Sequence, residues 1–65
     1  MKTGDMTEAQ SCAYMDLEAE GFRYAGDACP GVEMGKWTRE GYLKIVLDRY
    51  GRVNGKDAGD FIANL

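Results

Sequence analysis

Three sets of residues in this chain could do chemistry, and their types and spacing limit what it would be. Cys12 and Cys29 are the two thiols, and there is no histidine. A catalytic thiol acts as a thiolate and needs a base or cation beside it, yet neither cysteine has a Lys or Arg close by in sequence. Two isolated thiols without a CxxC pair or a histidine do not make a zinc site either. Gly51-Arg52-Val53-Asn54-Gly55-Lys56-Asp57 approaches the phosphate-binding pattern G-x-x-x-x-G-K-[ST]. It is one residue short, however, and Asp57 stands where a hydroxyl would hold magnesium and would repel phosphate. Asp48, Asp57 and Asp60 do not have the spacing of a calcium loop. Paired-carboxylate glycosidase chemistry needs a sugar-sized cleft, which 65 residues can hardly enclose. The expectation is therefore a chain that is not an enzyme and has no catalytic, cofactor or metal site.

Two further sets suit binding. From Asp5 to Glu20 there are five carboxylates (Asp5, Glu8, Asp16, Glu18 and Glu20) and no Lys or Arg. Residues 1–33 carry a net charge of −5 and residues 34–65 a net of +2, within a whole-chain charge of −3. A surface of one sign attracts the opposite sign and speeds association with it. The bland alternative is a solvated face that keeps the protein soluble. The second set is Lys36, Trp37, Arg39, Tyr42, Lys44, Arg49, Tyr50 and Arg52, which interleaves cations with aromatics. Small sheets bind single-stranded nucleic acid with such a mixture. Against that, nucleic-acid-binding domains are ordinarily basic.

The elements that must position these residues can be read from pattern. Thr7-Glu8-Ala9-Gln10 fits a capping box, with Gln10 reaching back to the cap, and helix formers continue to a stop at Gly21. Ala9, Ala13 and Leu17 form an inward stripe flanked by Met6 and Tyr14. Cys12, Met15 and Ala19 point the other way, either toward a second cover or toward a partner. Residues 22–25 read as a first strand and Gly26–Gly31 as loop. Val32–Thr38 read as a second strand with a bulge at Gly35 that keeps Val32, Met34 and Trp37 on one face. Tyr42–Asp48 are the clearest strand, with Leu43, Ile45 and Leu47 facing the core. Arg52-Val53 adds a short edge before Asn54-Gly55. A final helix is capped by Asp57 and carries Ala58, Phe61, Ile62 and Leu65 on one stripe.

The predicted fold is a single two-layer α+β domain in the order α-β-β-β-α, with an antiparallel sheet of three or four strands. Residues 1–5 are expected to be a flexible extension, and Met6 could serve as a second start. The first residues lack an apolar signal segment and no apolar run approaches a membrane span. The chain is expected to be cytoplasmic and monomeric, with free thiols and Cys12 half-buried.

A short, acidic, histidine-free α+β chain of this layout resembles the small inhibitor proteins encoded by bacteriophages, anti-CRISPR proteins among them. The resemblance rests on Asp5, Glu8, Asp16, Glu18 and Glu20, the length and the order of elements, and no motif matches position by position. It implies a non-catalytic inhibitor that covers a basic, nucleic-acid-binding surface of a partner such as a Cas protein. Alternatives are a small single-stranded nucleic-acid binder using the Trp37–Arg52 region, or a structural subunit of a phage or bacterial assembly.

Overall fold

The computed structural model describes residues 6–28 and 30–65. In chain order they form α1 (Glu8–Ala19), β1 (Arg23–Ala28), β2 (Gly31–Thr38), β3 (Gly41–Leu47), β4 (Arg52–Val53), β5 (Lys56–Asp57) and α2 (Ala58–Ala63). The strands make one antiparallel meander, each pairing with its neighbour in sequence. The α+β class is as expected, with five strands instead of three or four. The additional strand follows from Asn54-Gly55, whose positive φ values of 53° and 81° suit a two-residue hairpin turn. The sequence reading placed Asn54-Gly55 after an edge strand; it closes a hairpin, and Lys56 and Asp57 pair back across it.

Helix α1 is fixed at both ends by local chemistry. Thr7 is its N-cap, and its hydroxyl oxygen accepts from the Gln10 amide at 3.0 Å. That hydroxyl also donates to the Arg49 carbonyl, tying the helix start to the turn after β3. The capping box is only half made. Gln10 does not reach back but turns inward, fully buried, and its amide donates to the carbonyls of Pro30 and Leu47, both at 3.3 Å. The inward stripe is therefore Gln10, Ala13 and Leu17, while Ala9 is exposed. At the other end, the Gly21 amide bonds the Glu18 carbonyl (3.0 Å) and the Phe22 amide bonds the Leu17 carbonyl (3.1 Å). Gly21 has φ +104°, as the paired bonds of this glycine-dependent stop require. The same closure drops Phe22 onto Leu17, and both are fully buried.

The core lies between the helices and one face of the sheet. It is built from Ala13, Leu17, Phe22, Val32, Met34, Ile45, Leu47, Val53 and Ala58, with Leu43, Phe61 and Ile62 partly buried against it. Leu65, expected on the inward stripe of α2, is 58% exposed. It lies beyond the last turn of α2, where the chain no longer follows the helical stripe.

Two strand details correct the sequence reading. The first strand runs on to Ala28, so Gly26–Ala28 are paired and not loop. The register is continuous through Gly35, which faces Arg23 on one side and Lys44 on the other. The irregularity sits instead in β1, between Tyr24 and Gly26. Glycine stands at position 35 for a packing reason, since a Cβ there would lie 2.0 Å from the Tyr42 hydroxyl.

Candidate functional site

Two faces are left uncovered by this packing. The first is the outward half of α1. At about 100° per residue, Cys12, Met15 and Ala19 form its centre, Glu18 lies on one flank, and Asp16 and Glu20 lie on the other. Glu8 sits in the first turn, where a carboxylate complements the positive end of the helix dipole. All of these residues are exposed, Met15 by 65%. Among the described residues the one ion pair is Lys44–Glu33 at 3.7 Å, so the α1 carboxylates pair with no cation among those residues. The acids expected to bind a partner are thus brought onto one helix, arranged around an apolar strip. Asp5 lies outside the described residues. On the side of α1, burial and the neighbouring Glu18 raise the Tyr14 phenol above its usual range, opposed by Arg23.

Cys12 belongs to this face and is a free, exposed thiol, not half-buried as expected. Its position opposite Ala13 and Leu17 explains this, because the single layer of sheet covers only one side of the helix. Cys29 lies outside the described residues. Under native conditions Cys12 should react promptly with a thiol reagent, and reductant should leave the melting temperature unchanged. A large drop in melting temperature with reductant would instead establish a disulfide to Cys29.

The second uncovered face is the outer side of the sheet. Continuous register through β2 places Glu33, Gly35 and Trp37 outward, opposite Val46, Lys44 and Tyr42 of β3. Trp37 and Tyr42 pack with ring centroids 5.1 Å apart, and Trp37 is 78% exposed. The grouping of cations and aromatics expected around one hairpin is divided by this parity. Lys36 is on the opposite side of β2, where its ammonium donates to the Glu20 carbonyl at 2.9 Å and lies 5.4 Å from the Phe22 ring centre. It thereby serves the C-terminal end of α1. Arg49 and Tyr50 sit together in the turn after β3, with the guanidinium 5.4 Å from the ring centre. That turn is organised by Asp48, whose carboxylate accepts from the amides of Tyr50 and Arg52, both at 2.9 Å.

At the far end of the sheet an open depression of about 540 Å³ is lined by residues 38–43 and Leu65. Its charged groups are Arg39 and Glu40, of opposite sign, at the hairpin tip. Among the described residues no group of three or more Cys, Asp or Glu side chains is placed to hold a metal ion. Asp57 is occupied as the cap of α2, accepting from the Gly59 amide at 3.0 Å. No helix of the described residues is long and apolar enough to cross a membrane. A scan against protein-family models gives no match, and searches of curated proteins and of solved structures give none either.

Proposed function

We propose that this chain is a non-catalytic binding protein, an acidic inhibitor that docks α1 on a basic, nucleic-acid-binding surface of a partner protein in the manner of anti-CRISPR proteins. The observation that carries this reading is the outward half of α1, where exposed Met15 lies between carboxylates that pair with no cation among the described residues. An apolar centre with a charged rim is the usual anatomy of a protein interface. The rim supplies steering and selects basic partners, while the centre supplies buried area.

The test is capture from bacterial lysate at low and high salt, followed by displacement of labelled DNA from the retained protein. Asp16→Lys with Glu18→Lys should lower the association rate by on the order of ten-fold at low salt. The difference should shrink as salt shortens the Debye length to a few ångströms. Arg39→Glu and Lys44→Glu should change it little. Unchanged association of the α1 variant would overturn the reading. So would micromolar binding of single-stranded DNA or RNA that disappears with the Arg39 and Lys44 variants and falls with salt.

A further inference from the structure

We infer that the outer face of the sheet is the contact surface of a weak two-fold dimer of this chain. This goes beyond the role given to α1, which lies on the other side of the molecule.

The face carries an apolar pair, Trp37 and Tyr42, beside the hairpin tip, and Val46 beyond Lys44 on β3. Trp37, Tyr42 and Val46 are 78%, 48% and 41% exposed, and together they leave on the order of 300–400 Å² of largely apolar surface against water. Patches of that size on a small protein are commonly functional.

Charge selects the occupant. On β2 and β3 the charged groups of this face are Glu33 and Lys44, which already pair at 3.7 Å; on the short edge Arg52 stands opposite Asp57, so the patch is locally balanced. A nucleic-acid strand would meet Lys44 set against Glu33 and Arg52 set against Asp57, a poor hold for a polyanion. A strongly charged protein surface would likewise gain nothing from it. A second copy fits on both counts. A two-fold contact requires one patch to complement itself, and Lys44 of each copy can face Glu33 of the other while Trp37 and Tyr42 meet their counterparts. Copies of net charge −3 repel, and contact through the sheets keeps the two α1 helices, with their exposed acids, on the far sides of the pair.

Area sets the strength. Two such faces with their rims bury roughly 800–1,200 Å², the low end for specific interfaces. The dimer should therefore form in the range of tens to hundreds of micromolar, and dilute protein should be monomeric.

The chain's single tryptophan makes this measurable. Sedimentation and light scattering of the full chain from ~10 µM to ~1 mM should show a rising dimer fraction, with a parallel blue shift of the Trp37 emission. Trp37→Ala should abolish the dimer at every concentration while lowering the melting temperature only by the modest amount that losing its cross-strand contact with Tyr42 entails. Lys44→Glu should weaken it at least ten-fold by placing like charges together, and adding Glu33→Lys should restore it, a rescue that a merely structural role for either residue would not give. A chain that stays monomeric to ~1 mM overturns the inference. So does a dimer untouched by Trp37→Ala, or Trp37 emission quenched by micromolar single-stranded oligonucleotide.

Discussion

Leu47→Ala should cost about 2–5 kcal/mol, enough to leave much of the protein unfolded at room temperature. Leu47 is fully buried. Its backbone faces Val32 on one side and Val53 on the other, and its carbonyl accepts from the buried Gln10 amide. The strand, both its neighbours and the helix therefore meet at this residue, and the cavity left by truncation cannot collapse without disturbing all of them. A 65-residue domain has only a few kcal/mol in reserve. Leu43→Ala is the control, because Leu43 shares the inward face but is only half-buried; its loss should be clearly smaller. Urea unfolding followed by circular dichroism measures both. Equal losses would show that burial along the strand is uniform and would contradict the packing described here.

Gly51→Ala is the second large effect, expected at about 1–3 kcal/mol or above from the backbone conformation and the clash combined. Gly51 has φ +79°, and a Cβ there would lie 2.8 Å from the Ala9 carbonyl oxygen. The obstacle is helix backbone, which cannot swing aside as a side-chain tip can. Gly55→Ala separates the two causes, since Gly55 has φ +81° with open space around it. It should lose only the conformational part, about 1 kcal/mol. A Gly51 variant no less stable than the Gly55 variant would mean that α1 can shift away from the turn without loss.

The parts of the fold legible in the sequence are those set by local chemistry. Thr7 and Asp57 cap helices, Gly21 ends one, and the alternation of residues 42–47 makes a strand whatever surrounds it. What was not legible depended on distant partners. Gln10 has the right spacing from Ala13 and Leu17 to face inward, but a polar side chain signals a core position only once the carbonyls of Pro30 and Leu47 are known to need a donor. Gly35 invited a bulge because an isolated glycine in a strand often marks one. Its actual reason, the Tyr42 hydroxyl above it, comes from the neighbouring strand. That single error of parity decides where Trp37 points: a bulge carries it into the core, and continuous register carries it into solvent. The acidic set was legible as composition, and so was the apolar strip of Cys12, Met15 and Ala19 opposite the core stripe. The division of the basic and aromatic set between two sides of the sheet could be seen only from the register.

The meander order has a consequence for how the chain comes to be folded. Every strand pairs with the one before it, so the sheet can zip up through short loop closures, each entropically mild. The distant closure is between the two helices, where α1 packs against α2, and it cannot be completed until α2 has been synthesised. On a ribosome the sheet would therefore assemble with its inner face still open toward α2, and the arrival of α2 would complete the packing around the first helix.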